Sequence, residues 1–397
     1  MNVTRFLISE HFHTYLGIPY DEEMVPFPNF GTVLIQHQRY LSKKIAFQWG
    51  DKYAFTFQEW TSCVRTLSTA ILTSEFRTQT PVLLSLSADP VNMLLFHALL
   101  DGGIPAVFIP QKKEIETFSL PFTLIEPDKH VIHSPDNTQE TLTIAAEKIL
   151  NCRPKMPEPF YVPPLRLDHP AVYTLLGDVW VEFTHYNLLV SAQSVGKELA
   201  LFRDGDTLFS TPVRDFADLV IAGLTSFYYG ATTHFYTEVD TLRAQKILQE
   251  KKTQLLIPDI KRVDIFELSQ DALDYPRDMA VLYRDPAILY LPEKLPFPWR
   301  FFWTAPVFGG NGFFVKDKKG VCCKGVDIKV KNGENEGQLM LFGHSIPHAV
   351  WLPQQGMLET TVNNMLLTPF RVKILDSERN AFKILNVIKD FYDGVSE

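Results

Sequence analysis

The spacing of apolar positions changes repeatedly along this chain, and each change predicts an element. Ile45-Ala46-Phe47-Gln48-Trp49 and Tyr53-Ala54-Phe55-Thr56-Phe57 are strand-length runs on either side of Gly50-Asp51, which predicts a hairpin. From Thr56-Phe57-Gln58-Glu59-Trp60 the period lengthens, with Leu67, Ala70 and Ile71 on one helical face. Val82-Leu83-Leu84-Ser85-Leu86 reads as a buried strand. Asp89-Pro90 follows as cap and first-turn proline of a helix through Met93, Leu94, His97 and Leu100, ending at Gly102-Gly103. Ala106–Pro110 is the next strand. A strand–helix–strand order needs a crossover, hence a parallel sheet.

Six prolines (Pro154, Pro157, Pro159, Pro163, Pro164 and Pro170) then mark an extended connector. A second α/β pattern follows: strands at Ala171–Leu175, Thr207–Ser210, Thr232–Tyr236 and Gln254–Ile257, and helices at Asn187–Leu201, Asp218–Tyr229 and Leu242–Lys251. From Phe301 to Leu375 the pattern alternates, as in Val326-Asp327-Ile328-Lys329-Val330, so this part is expected to be mostly β. The fold class is therefore α/β: two α/β subdomains with mostly parallel sheets (residues 1–165 and 166–300) and a smaller β-rich portion (301–397). No internal repeat or low-complexity tract is present.

Composition narrows the function. With 397 residues and 46% hydrophobic content, the chain can bury a large core. The 30 phenylalanines favour aromatic packing or an acyl or aryl pocket. A net charge of −8 argues against a nucleic-acid partner. Cys63, Cys152, Cys322 and Cys323 have no metal-ligand spacing; the last two read as strand residues, and few cysteines suit a reducing compartment. The first residues lack the apolar core of a signal peptide, and the apolar runs at 91–110 and 219–229 are interrupted or too short to span a bilayer. A cytoplasmic protein without a membrane segment is expected. His11 and His13 read as surface residues, and no Ser-His-Asp set or Gly-x-Ser-x-Gly elbow appears.

The most informative stretch runs from Val172 to Asn187. Tyr173-Thr174 opens it and Thr184-His185-Tyr186-Asn187 closes it. It resembles the phosphate-binding signature of adenylate-forming enzymes (acyl-CoA synthetases, adenylation domains, luciferases), roughly Y-T-S-G-T-T-G-x-P-K-G-V-x-x-T-H-x-N. Between Tyr173 and Asn187 this chain has three residues too few, and the Ser/Thr/Gly cluster and its lysine are missing. Leu175, Leu176, Gly177, Asp178, Trp180 and Glu182 stand there instead. A phosphate loop works through convergent backbone amides, hydroxyls and a cation; apolar and negative groups oppose a polyphosphate. Read from the residues alone, His185 is a structural strand-to-helix residue with a capping role. Asp178 and Glu182 lie in a solvated loop, and Asp206 and Asp218 fit cap or loop roles.

Other pieces are collinear with that family. Lys43–Trp60 is similar to its early A-hydrophobic…T-F-x-E-L segment, and Ala98–Pro110 to its a-G-x-x-x-v-x-x-P. Thr253–Pro258 is similar to a strand ending in proline, and Glu336–Gly343 to its G-E-L-x-V-x-G. The resemblance covers residues 30–375 and implies the fold of the large N-terminal domain of acyl-CoA synthetases, with the C-terminal lid absent. The family's P-x-x-H pocket entrance corresponds to Pro212-Val213-Arg214-Asp215, which makes Asp215 and Phe216 acyl-pocket candidates. Its Y-G-x-T-E has its best counterpart at Phe302–Pro306, with no acid. Its W-x-x-T-G-D aligns with Met357–Val362, where Val362 replaces the ribose-binding aspartate. Nucleotide-site remnants are thus Tyr173, Thr174, Gly177, Thr184, His185, Trp303, Thr304 and Thr360, with no catalytic or metal-ligating residue. Each lost charge-assisted hydrogen bond is worth about 1.5–3 kcal/mol. The resemblance then implies an eroded ATP site, no cofactor, and an accessory role toward an acyl carrier protein or a carrier-modifying enzyme in a fatty-acid or polyketide-type pathway. The alternative is an active truncated acyl- or aryl-CoA ligase using ATP/Mg and CoA, with a lid supplied in trans.

Overall fold

In this computed structural model, residues 14–15, 18–19, 29–73, 81–108, 138–155, 169–176, 179–199, 206–211, 213, 216–237, 253–257, 279–283, 299–304, 312–316, 318–323, 325–331, 333, 335–347, 349–352, 356–359 and 365–388 are described. A two-strand ladder, β1 (Thr14–Tyr15) with β2 (Ile18–Pro19), precedes α1 (Phe30–Tyr40), whose N-cap Asn29 accepts from Thr32 N. The hairpin expected at Gly50-Asp51 forms from β3 (Ile45–Trp49) and β4 (Tyr53–Thr56). Next comes α2 (Phe57–Thr73). Glu59 Oε2 accepts from the Thr56 amide and Thr56 Oγ1 accepts from the Glu59 amide, a reciprocal start for that helix.

β5 (Val82–Leu84), α3 (Pro90–Gly102) and β6 (Ala106–Phe108) make the predicted parallel crossover. Asp89 caps α3 at the Asn92 amide. Gly103 ends it at φ 69, a left-handed conformation that costs glycine nothing sterically. α4 (Thr138–Cys152) was not foreseen; the predicted helix at Leu242–Lys251, His11, His13 and most of the proline connector lie outside the described residues.

The second pattern yields β7 (Pro170–Leu176), β8 (Val179–Thr184), α5 (His185–Glu198) and β9 (Asp206–Thr211). The predicted helix around Asp218–Tyr229 is built in three pieces: α6 (Phe216–Leu219), a π-helical segment (Val220–Thr225) and α7 (Ser226–Tyr228). β10 (Thr232–Thr237), β11 (Thr253–Ile257), β12 (Met279–Tyr283) and β13 (Trp299–Thr304) follow. The remainder is strand, as expected: β14 (Gly312–Lys316), β15 (Lys319–Cys322), β16 (Val326–Lys331), β17 (Glu336–Gly343), β18 (Ala349–Leu352), β19 (Gly356–Glu359), β20 (Met365–Asp376) and β21 (Ala381–Val387).

Besides the β1–β2 pair, two sheets organise these strands. One has the order β16-β17-β20-β21-β15-β14-β13-β12-β11-β9-β10-β3-β4, parallel from β13 to β3 and antiparallel elsewhere. The other has the order β19-β18-β8-β7-β6-β5. The fold is α/β with parallel sheets and an antiparallel C-terminal β portion. The sheets do not follow the segment limits at 165/166 and 300/301. β3 and β4 join the sheet of β9 and β10, β5 and β6 join that of β7, and β18 crosses over to pair with β8. One apolar core accordingly gathers residues from Phe30 to Phe235 together with Cys323, and a second lies within the C-terminal strands.

Two polar contacts fix the first core. Trp60 Nε1 donates to His97 Nδ1 at 3.0 Å, and burial, opposed by the Gly223 carbonyl, holds that imidazole neutral with its pKa down at about 3. Arg65 on α2 meets Asp101 on α3 at 3.0 Å, and Arg65 also donates to the Gly31 carbonyl on α1, so one guanidinium ties three helices. Burial pushes the Asp101 carboxyl up to about 6 against the pull of Arg65 and Ser68. Breaking this pair strands a charge in the core. Arg65→Met is expected to lower stability by about 3–5 kcal/mol, and Arg65→Met with Asp101→Leu to recover most of it. Urea denaturation of both variants checks this.

Candidate functional site

The stretch that resembles a phosphate loop forms a hairpin. β7 and β8 pair antiparallel in the register Tyr173↔Glu182, Thr174↔Val181, Leu175↔Trp180 and Leu176↔Val179, leaving only Gly177 and Asp178 between the strands. Those two residues lie outside the described set. On its other edge β8 pairs with β18 through Glu182↔Ala349, Val181↔Val350 and Trp180↔Trp351. Amides on both edges of β8 are therefore committed to ladders out to Trp180, whereas a phosphate cradle needs several convergent, uncommitted N–H groups.

Glu182 is not in a solvated loop, contrary to the sequence expectation. It stands in β8 with 6% of its surface exposed, directly opposite Tyr173, whose hydroxyl donates to the carboxylate. Burial pushes the Glu182 carboxyl up to about 7 against that hydrogen bond. The Tyr173 phenol is also raised, by burial and then by Glu182. This group is neutral in both folded and unfolded chains at acid pH. Above its unfolded value near 4.5 only the unfolded chain ionises freely, so folding is disfavoured progressively as pH rises to about 7. The full penalty is about 3 kcal/mol. Glu182→Gln keeps an acceptor for Tyr173 and is expected to match wild type near pH 4. Its stability gain then grows toward pH 8, as denaturation at several pH values would record.

The closing residues of the motif have a structural task. Thr184 is the N-cap of α5: its hydroxyl accepts from the Asn187 amide, while Asn187 Oδ1 accepts from Thr184 N and Oγ1 at 3.0 Å each. Asn187 Nδ2 in turn donates to the carbonyls of His344 and Ile346, both at 2.8 Å. Tyr186 OH also bonds His344 Nδ1. The Gly343 that precedes this segment has φ 137, and an added Cβ would meet the Gly325 carbonyl at 2.3 Å. Thus the motif's end clamps the turn that leads from β17 to β18, the strand that lines β8. Asn187→Ala removes the side-chain half of the capping box and the amide donor to two carbonyls, so a loss of about 3 kcal/mol is expected. Urea denaturation measures it.

His185 differs from the expectation in detail. Capping is done by Thr184 and Asn187; His185 is buried, and its ring stacks on His169 at 6.0 Å. Burial, then the neighbouring His169, push its pKa down to about 3, and its Nε2 has no hydrogen-bond partner among the described residues. Phe216 packs on Phe108 at 5.3 Å, Phe183 at 5.5 Å and Phe96 at 6.3 Å, a filled aromatic cluster. Gly177, Asp215 and Thr360 lie outside the described residues. Trp303 and Thr304 end β13 in the other sheet, opposite Phe313 and Gly312. Met357-Leu358-Glu359, by contrast, form β19 in the sheet of β7 and β8.

Asp206 lies 3.4 Å from His234 Nε2, and Asp218 is buried in α6. Cys322 ends β15, and Cys323 follows it; both are buried and neither is in a disulfide. Sequence reasoning passed over Asn187 as a clamp and Glu182 as a buried acid. The Thr-x-x-Asn spacing could have signalled the first, and the alternation Val181-Glu182-Phe183 the second. Among the described residues there is no cluster of His, Cys, Asp and Glu able to hold a metal.

No protein-family model matches the chain. A search of curated proteins gives no match either. Solved structures do match. The N-terminal subdomain of Klebsiella oxytoca NpsA, in complex with 3-hydroxyanthranilyl-AMSN, superimposes with TM-score 0.66 at 12% identity, covering 92% of this chain and 100% of that one. Mycobacterium tuberculosis fatty acyl CoA synthetase gives 0.68 at 14% identity, covering 94% of this chain and 80% of that one. The o-succinylbenzoate CoA synthetase (MenE) of Bacillus subtilis gives 0.67 at 16% identity, covering 90% and 78%. This chain therefore has the fold of the N-terminal domain of adenylate-forming acyl- and aryl-CoA ligases.

Proposed function

We propose that this chain is a ligase-fold protein that does not adenylate carboxylates with ATP and serves as a binding or accessory partner in acyl-carrier-protein or thioester chemistry. The observation that carries the reading is the register Leu176↔Val179. Where the resembled signature holds a cradle of amides, hydroxyls and a lysine, this chain has paired strands and a two-residue connection. Losing a lysine, an aspartate and several amide contacts weakens nucleotide affinity by several factors of ten. A carrier-borne thioester is already activated, so a protein meeting it needs the acyl-binding body of a ligase and not its nucleotide grip. No ATP, Mg or CoA is required by this reading. Among the described residues no helix is long and apolar enough to cross a membrane, and cytoplasmic residence belongs to the same proposal.

Calorimetric titration with Mg-ATP, run beside an active acyl-CoA ligase, is expected to stay flat into the millimolar range, about a thousandfold weaker than a working site. Pyrophosphate release on adding carboxylates is expected to be nil. Micromolar ATP binding, or carboxylate-dependent pyrophosphate, would instead establish a working ligase.

A further inference from the structure

In the C-terminal sheet, Lys319 on β15 stands directly opposite Lys383 on β21, and Lys383 stands directly opposite Lys373 on β20. Residues directly opposite share a face, so three ammonium groups form one row across three adjacent strands. Among the described residues none of the three ammonium groups has an ion pair or side-chain hydrogen bond, although Glu336 stands opposite Lys373. Like charges directly opposed destabilise a sheet, so this row is not explained by folding. Edge protection does not explain it either. Lysines guard free strand edges, but β15, β21 and β20 are all interior strands, in the order β16-β17-β20-β21-β15-β14.

The same outward face carries apolar side chains where solvent would favour polar ones. Val321 is 46% exposed and Leu385 39% exposed, each two residues from a lysine of the row on the same strand, and Leu375 is 49% exposed two residues beyond Lys373. Arg371 borders them, paired at 3.2 Å with Glu336, the one acid that the ladder sets opposite Lys373. A concentrated positive face stands out on a chain of net charge −8. Apolar residues among unpaired cations fit a protein surface of carboxylates around an apolar contact better than a phosphate backbone, which offers no apolar complement.

We propose that the face formed by Lys319, Lys383 and Lys373 with Val321, Leu375 and Leu385 is a docking surface for a partner protein with an acidic face. The site is separate from the β7–β8 hairpin. It rests on the accessory reading only in taking a carrier protein as the partner to test.

The probe is a purified holo-acyl carrier protein of acidic sequence, titrated by fluorescence anisotropy at low and high salt. Its comparison is the triple variant Lys319→Gln, Lys373→Gln, Lys383→Gln. Wild type is expected to bind with a steep loss on adding salt, and the variant to bind about tenfold more weakly with a shallower salt dependence. The variant's melting temperature is expected to be unchanged or higher, because a repulsion is removed. Equal binding by the variant overturns the surface while leaving the accessory reading intact. A lower melting temperature shows the lysines to be structural and also overturns it. No binding by wild type overturns the surface, while the accessory reading stands or falls on the Mg-ATP titration above. Preferential binding of phosphatidylserine vesicles or a short duplex DNA, lost in the variant, replaces the acidic-protein assignment with a membrane or nucleic-acid surface.

Discussion

The ladder between β7 and β8 is the constraint on which the site depends. Once Leu176 is paired with Val179, two residues remain to turn the chain, and the amides that face across the hairpin are spent on strand partners. An anion loop and a tight hairpin are alternative uses of the same backbone donors, because each N–H can satisfy one strong acceptor at a time. β18 closes the remaining edge of β8, so the commitment extends across the sheet and is not confined to the turn.

That arrangement gives the two ends of the stretch from Tyr173 to Asn187 structural tasks of their own. Tyr173 now satisfies a buried carboxyl, and Thr184 with Asn187 caps a helix and holds the carbonyls of His344 and Ile346. These side chains are needed by the fold whether or not a nucleotide is bound. Removing them exposes buried polar groups to an apolar interior, a cost larger than that of most surface changes.

Much of the architecture was legible along the chain. The β3–β4 hairpin followed from Gly50-Asp51, the β5–α3–β6 crossover from Asp89-Pro90 and Gly102-Gly103, and the β-rich C-terminal part from alternation such as that of Val326–Val330. These signals are local: a cap, a turn or a period of two acts within a few residues. The pairing of β18 with β8 joins positions about 170 residues apart, and no local pattern encodes it. Glu182 was misread for the same reason, because its burial comes from a neighbour strand far away in sequence. Strands from before the proline connector, from between it and residue 300, and from beyond residue 300 likewise share two sheets, through pairings that no local pattern encodes.

By itself the sequence determined most of the element types and the likeness of fold to acyl- and aryl-CoA ligases, because caps, turns and short-range spacing carry that information. Only the tertiary structure decided that Leu176 pairs with Val179 in a hairpin, that Glu182 is a buried acid, and that Lys319, Lys383 and Lys373 form one row. Register between strands sets which side chains face each other, and register is fixed by the packing of the whole sheet, not by any single segment.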